Sequence, residues 1–374
     1  MIYFHIPFCK QKCSYCNFHF STQKTRIPEM LWAMKKELQM RAKELENETL
    51  KTLYFGGGTP SVLTVEQITE LINEVHKYFH FSQEIEITLE ANPDDLSKEY
   101  LEQLSLSPVN RLSIGIQSFH TFDLEMMNRA HTPEQALEAV KNVQFFGFDN
   151  ISIDLIYGNP TADFEVWKRN LETVVALDIP HISAYALTVE PKTALENWVK
   201  RKKVAAPDDE IQQQQFEYMI SFLEAHGYQQ YEISNFAKPN FHSKHNSAYW
   251  QHLPYLGIGP SAHSFDGKNK RSWNIANNAK YIQTLEKEML PSESELLSME
   301  DAYNERMMIG LRTAMGVDIE QIYTYFPETI VRYFEKKKAE KIRFGELVKR
   351  EGRLCIPKEK WFFADGIAAD MFYA

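Results

Sequence analysis

YFHIPFCKQKCSYCNF, residues 3–18, decides how the rest of the chain is read. Its beginning, within Ile2–Ile6, is a β-branched and aromatic run that favours a strand. Cys9, Cys13 and Cys16 follow at once as C-x3-C-x2-C, and one further cysteine, Cys355, lies near the opposite end. Three thiols this close suggest a soft metal centre rather than a disulfide. Three is also one ligand fewer than a closed iron–sulfur cluster or a structural zinc site uses. The expectation is a [4Fe–4S] cluster held by Cys9, Cys13 and Cys16, with one iron open to another ligand. Zinc, with His5 or His19 as fourth ligand, is the rival. It suits a small zinc knuckle better than the first loop of a long α/β chain.

Working outward, further strand candidates are Thr52–Phe55, Ile85–Glu90, Arg111–Gln117, Ile151–Ile156 and His181–Thr188. Helix starts lie between them. Thr64 with Gln67, and Thr132 with Pro133 and Gln135, read as capping boxes, and Ser97 reads as a cap. Strands that alternate with helices predict parallel α/β units, in a barrel-like or an open doubly wound sheet. After about residue 200 the pattern changes. A charged stretch at 200–209 precedes a helix from Asp208 to His226, then a segment rich in His, Asn, Tyr and Trp. From Ser298 onward short helices precede RLCIPKEKWFF, read as a small hairpin, and a last helix, an order resembling a winged helix. The division expected is 1–200, 201–297 and 298–374.

The 374 residues carry a formal charge of -10, which argues against general nucleic-acid binding. The chain reaches its cysteines too soon for a secretory leader, no run is long enough to span a membrane, and clustered free thiols suit a reducing compartment. The expectation is a soluble cytoplasmic protein, with peripheral attachment to membranes left open.

Polar and glycine-rich residues gather at or just after the strands, where α/β proteins build their sites. Gly56-Gly57-Gly58-Thr59 lets backbone approach a ligand closely, and it is neither a Walker A loop nor a dinucleotide fingerprint. The open iron would take the amino and carboxylate groups of S-adenosylmethionine, whose one-electron cleavage yields a 5′-deoxyadenosyl radical. Glu90, Gln117, Arg129 and Asp154 supply carboxylates for hydroxyls or ammonium and a cation for the carboxylate. Taken singly, each reads better as a surface polar residue or a cap; as a set they read as a ligand site. His245-Asn246-x-x-Tyr249-Trp250 pairs imidazole with aromatic rings, which could ligate and stack on a porphyrin, although a packed loop is the plainer reading. The lysines at 336–338 read as a solvated helix face, and Cys355 as a buried hydrophobe.

YFHIPFCKQKCSYC, YFGGGTP, LEANP, SIGIQSF, IDLIYGNP and SAYALTVEP together resemble the radical S-adenosylmethionine superfamily, in the branch around oxygen-independent coproporphyrinogen III dehydrogenase, HemN. The resemblance runs through most of the chain. It implies a partial (β/α)6 barrel holding the cluster and S-adenosylmethionine, followed by a mainly helical C-terminal region with a winged-helix-like end. It further implies that Tyr3 and Tyr15 lie against the S-adenosylmethionine. Gly57, Gly58 and Thr59 would touch its methionine part, and Glu90, Gln117, Arg129 and Asp154 would make the remaining contacts. HemN-type dehydrogenases carry another cysteine two positions after the third; here that position is Phe18. The chain also begins almost at the motif, without the dehydrogenase's N-terminal extension. Phe18 and the H-N-x-x-Y-W segment are similar instead to the HemW heme chaperone branch. That branch binds heme, passes it to acceptor hemoproteins such as respiratory enzymes, and lacks dehydrogenase activity.

The reading favoured is therefore a heme carrier with a [4Fe–4S] cluster and S-adenosylmethionine, with His245 as the candidate heme residue and Tyr249 and Trp250 as its apolar wall. The alternative is the dehydrogenase, which decarboxylates propionates of coproporphyrinogen III. A DNA-binding regulator acting through the C-terminal region is a third reading, disfavoured by the acidic charge.

Overall fold

A computed structural model describes residues 1–45, 48–160 and 163–373. Six parallel strands form its centre: β1 (Ile2–Ile6), β2 (Leu50–Gly57), β3 (Phe81–Ala91), β4 (Arg111–Gln117), β5 (Ile151–Tyr157) and β6 (His181–Ala186). The helices between them are α1 (Ile27–Arg41), α2 (Val65–His76), α3 (Lys98–Ser105), α4 (Thr121–Met126), α5 (Pro133–Phe145) and α6 (Phe164–Ala176). After β6 come α7 (Ala194–Lys200) and α8 (Asp209–Ala225). Thr64 and Thr132 make reciprocal capping boxes with Gln67 and Gln135, and the Ser97 side chain caps α3, as the sequence predicts. The strands were harder to bound. β3 begins at Phe81, before Ile85, and β6 ends at Ala186, with Thr188 already in the loop to α7.

β1 and β6 do not pair with each other, so the sheet is a partial barrel. Its outer edges are covered by short strands from beyond residue 228. β7 (Gln229–Gln230) and β8 (Asn235–Ala237) extend it antiparallel beyond β6. After α9 (Lys244–Trp250), β9 (Leu256–Ile258) adds parallel to β1. Covering both edges removes the unpaired backbone that an open sheet exposes. Alternation along the strands sends Ile2, Phe4, Leu53, Phe55, Ile87, Leu89, Leu112 and Ile114 into the apolar core. The opposite face carries Tyr3, His5, Thr52, Tyr54, Glu86, Thr88, Glu90, Arg111, Ser113, Ser152, Asp154, His181 and Ser183. Their interstrand bonds, such as Ser113–Asp154 and Ser152–His181, show the barrel interior to be polar.

A three-stranded antiparallel sheet, β10 (His263–Phe265), β11 (Lys270–Asn274) and β12 (Ser292–Leu296), surrounds α10 (Asn278–Glu286) in sequence. The C-terminal unit then runs α11 (Met299–Leu311), β13 (Val317–Asp318), α12 (Ile319–Tyr325), α13 (Glu328–Arg343), β14 (Val348–Arg350), β15 (Arg353–Cys355) and α14 (Ala364–Asp370). This is the helix and strand order of a winged helix. The hairpin falls at Val348–Cys355, earlier than expected, and the KEKWFF residues instead form a 3-10 turn closed by Trp361 Nε1 donating to Ile356 O at 2.9 Å.

Candidate cofactor site

The cysteine loop leaves β1 and is pinned at its base. Cys9 N donates to Ser21 O at 3.1 Å and Ser21 N to Pro7 O at 3.0 Å, closing the loop at both ends. Its tip is fastened to the chain after α4. Ser14 donates from its backbone to Met127 O (3.0 Å) and from Oγ to Met126 O (2.8 Å), while Gln11 Nε2 donates to Asn128 O and Asn128 Nδ2 to Lys12 O, both at 2.7 Å. Lys10 pairs with Asp94 and Asp95. These contacts hold three free cysteines facing one cavity of about 480 Å³ at the carboxyl ends of the strands.

The opposite walls of that cavity come from the strand ends. Gly57 ends β2 and Gly58 follows it. Gly57 has φ +103°, and a Cβ there would stand 2.5 Å from the His5 ring, while one on Gly58 would meet Ile6 O and Phe8 O at 2.7 and 2.6 Å. Only glycine fits either position. Glu90 accepts from Tyr54 OH (2.8 Å) and Gly57 N (3.2 Å), and burial pushes its carboxyl up to about 7. Asp154 accepts from Ser113 Oγ at 3.2 Å, and burial pushes it up to about 6. No cation touches either carboxylate among the described residues. Gln117 stands at φ +67°, a left-handed backbone that a non-glycine residue adopts at a cost, beside a register shift between β4 and β5.

Arg129 reaches in from the loop after α4. It donates to Asn92 Oδ1 (2.7 Å), Gly115 O (2.6 Å) and Cys13 Sγ (3.4 Å), and its Nε is buried without a partner. Thr59 Oγ1 donates to Cys9 Sγ at 3.4 Å and accepts from Asn92 Nδ2 at 3.3 Å. Burial pushes the Cys9 thiol up to about 11 and raises that of Cys16, so both need a nearby cation to become thiolates.

The structure thus brings Cys9, Cys13, Cys16, Tyr15, Gly57, Gly58, Thr59, Glu90, Gln117, Arg129 and Asp154 to one cavity. Tyr3 lies below it inside the barrel, donating to His5 Nδ1 at 3.1 Å. His5 Nε2 donates to His19 O at 2.9 Å and His19 Nε2 to Asn278 Oδ1 at 2.7 Å, so neither His5 nitrogen is available to a zinc ion. His245 is not at the cavity. It begins α9 under the barrel, 1% exposed, with Thr52 Oγ1 at 2.8 Å from Nδ1 and Tyr249 OH at 3.1 Å from Nε2. Both of its nitrogens are engaged within the barrel and the side chain is buried. Asn92, Ser113 and Tyr185 also line the cavity and were not foreseen. Asn92 lies in the LEANP stretch, two residues from Glu90, and its position was the available signal.

The donor set fits both groups expected here. Three soft thiols on one loop match three irons of a cluster. Two buried carboxyls weakened as acids by burial, with no cation in contact, match a cationic amino-acid sulfonium, and the unpartnered Arg129 Nε matches its carboxylate. Among the described residues no three His, Cys, Asp or Glu side chains form a set for a single metal ion.

Residues 3–172 match the radical SAM superfamily and residues 297–363 the HemN C-terminal domain. The heme chaperone HemW of Bacillus subtilis is 36% identical over 318 residues, covering 84% of each chain. The chain belongs to the HemW family. HemW of Lactococcus lactis is 36% identical, over 87% of this chain and 84% of its own, and HemW of Escherichia coli K12 is 35% identical over 70% and 69%. The solved coproporphyrinogen III oxidase (HemN) from Escherichia coli, a radical SAM enzyme, superposes with a TM-score of 0.85 at 24% identity. That alignment covers 99% of this HemW-family chain and 89% of HemN, a likeness of fold.

Proposed function

We propose that this chain is a heme chaperone that holds a [4Fe–4S] cluster and S-adenosylmethionine, binds heme, and transfers it to acceptor hemoproteins such as respiratory enzymes. The observation that carries the reading is its similarity, over more than four fifths of the chain, to relatives named heme chaperones. Phe18 supports it. This aromatic side chain, 68% exposed, lines the cavity at the position where the dehydrogenase pattern has its further cysteine.

In this reading Cys9, Cys13 and Cys16 hold the cluster, and Arg129 and Thr59 steady two of the sulfurs with their hydrogen bonds. Gly57, Gly58 and Thr59 receive the methionine part of S-adenosylmethionine. Glu90 and Asp154 exchange protons for the cationic ligand, while Gln117, Arg129 and Tyr15 orient it. Bound together, the two cofactors supply one-electron chemistry. Residues 1–200 carry the cofactors, 201–297 link, and 298–374 form the C-terminal domain. No helix among the described residues is long and apolar enough to cross a membrane. We place the protein in the cytoplasm because its free cofactor thiols need reducing conditions.

The rival is the dehydrogenase. An anaerobic assay of the reconstituted protein with S-adenosylmethionine, a reductant and coproporphyrinogen III separates them. The chaperone reading expects no protoporphyrinogen and one heme bound per chain in a parallel titration. Protoporphyrinogen over many turnovers would make it the dehydrogenase.

A further inference from the structure

The cofactor cavity and the start of α9 lie at opposite ends of the barrel interior, and alternate positions of two neighbouring strands run between them. Thr52, Tyr54 and Gly56 share the inner face of β2, with Thr52 beside Glu86 and Tyr54 beside Thr88 of β3. At the amino-terminal end Glu86, 4% exposed, accepts from Lys244 N and His245 N at 3.0 Å each. Thr52 Oγ1 bonds His245 Nδ1 there at 2.8 Å. At the carboxyl end Glu90 faces the cavity, held by Tyr54 OH and Gly57 N.

Tyr54 contacts both ends. Its hydroxyl donates to Glu90 Oε1 at 2.8 Å, and its ring lies 4.8 Å from the His245 ring, centroid to centroid, at 30°. It is buried with little room to step aside. A Cβ on Gly56 would stand 2.9 Å from each of Tyr54, Tyr3 and Glu90 Oε1, so the two rings and the carboxyl close together only over a glycine.

A change at either end therefore reaches the other through one side chain. In the ligand-free cavity burial pushes Glu90 up to about 7, with Asp154 adding to the rise and Arg111 opposing it. Near neutral pH Tyr54 thus donates to a carboxyl that is in part protonated. A cationic ligand keeps Glu90 charged, and a bond to a charged acceptor is roughly twice as strong as one to a neutral acceptor. At the other end His245 Nε2 is engaged by Tyr249 OH at 3.1 Å, as Nδ1 is by Thr52. For His245 to meet anything else, the first turn of α9 must leave the barrel, which strips the ring contact from Tyr54.

We infer that Tyr54 is a positioning residue that couples the cofactor cavity to α9: S-adenosylmethionine on Glu90 holds the first turn of α9 against the barrel, and its departure loosens that turn. This rests on the S-adenosylmethionine reading of the cavity given under the proposed function. The coupling is reciprocal, so whatever draws His245 out of the barrel weakens S-adenosylmethionine binding by the same factor. For a heme chaperone, occupancy of the cofactor cavity then governs access to His245.

The test is hydrogen exchange, read by mass spectrometry on peptides spanning residues 243–250, with and without saturating S-adenosylmethionine. It compares the reconstituted wild type with Tyr54→Phe. The variant keeps the ring and loses only the hydroxyl, and unchanged cluster absorbance verifies folding. In wild type the ligand should slow exchange of these amides at least about fivefold, with peptides of α12 unaffected. Tyr54→Phe should bind S-adenosylmethionine about tenfold more weakly and, at saturation, show less than about twofold protection. Exchange in wild-type α9 that ignores the ligand, or that slows equally in α12, would overturn the coupling and leave the cofactor reading intact. So would protection in Tyr54→Phe equal to that of wild type, which would reduce Tyr54 to packing. A wild type that binds no S-adenosylmethionine would overturn the cofactor reading as well.

Discussion

Glu90 shows at a single residue what the cavity is built to receive. Its carboxyl, pushed up to about 7 by burial, binds a proton in the folded ligand-free protein that it releases when unfolded, where its value is near 4.5. Its contribution to stability is therefore full below 4.5 and is lost as pH rises through about 7. Glu90→Gln should flatten that window and raise the stability of the ligand-free chain at pH 8 by ~1–2 kcal/mol, after allowing for the weakened bond from Gly57 N. The same variant should bind S-adenosylmethionine at least about tenfold more weakly, because the charge that pairs with the ligand is gone. Urea melts at pH 5 and pH 8, with a binding titration, check both halves; a pH profile identical to wild type would remove Glu90 as the cause. Cys13→Ala should abolish the absorbance of the reconstituted cluster without unfolding the barrel, and unchanged iron content would refute the cluster assignment. Gly57→Ala should be costlier than either, since the new Cβ meets the His5 ring and the backbone stands at φ +103°. A loss of more than ~2 kcal/mol is expected in thermal melts.

Among the elements, α1 is the one most firmly tied to a distant segment. Glu37 is fully buried and accepts from Arg41 Nη1 (2.9 Å), Asn274 Nδ2 (2.7 Å), Gly259 N (2.9 Å) and Tyr281 OH (2.5 Å). One carboxylate thus joins the first barrel helix to β11, α10 and the turn after β9. Glu37→Ala should cost ~3–5 kcal/mol, because it strands the buried Arg41 charge and several donors. A shift in the urea midpoint of less than about a quarter of that would contradict the assignment. Nothing in the sequence marks Glu37, since a glutamate within a helix normally reads as a solvated position. The strands and caps were easier to read. Their signals are local: β-branched runs, and Thr64 and Thr132 each three residues before a glutamine. Depth along the barrel is not a local signal. Alternation puts Tyr3 and Glu90 on the interior face, but only the register of β1 against β2 and β3 shows that Tyr3 lies a layer beneath the cavity. His245 is ambiguous for a related reason. An imidazole among aromatic rings has the same composition whether it faces a ligand or closes the underside of a barrel.

At the scale of the whole molecule, the cofactor cavity lies at the carboxyl ends of the barrel strands and is walled on one side by the cysteine loop. The residues that line it were legible in the sequence because they recur at strand ends. The chain spans 84% of the Bacillus subtilis relative, and its fold matches HemN at a TM-score of 0.85, so architecture alone does not separate carrier from catalyst. Delivery does. The most direct measurement loads the reconstituted protein with one heme and adds it to membranes from heme-starved cells, then follows recovery of heme-dependent respiratory activity. Recovery should exceed that from the same amount of free heme. Recovery no greater than with free heme would contradict the chaperone account.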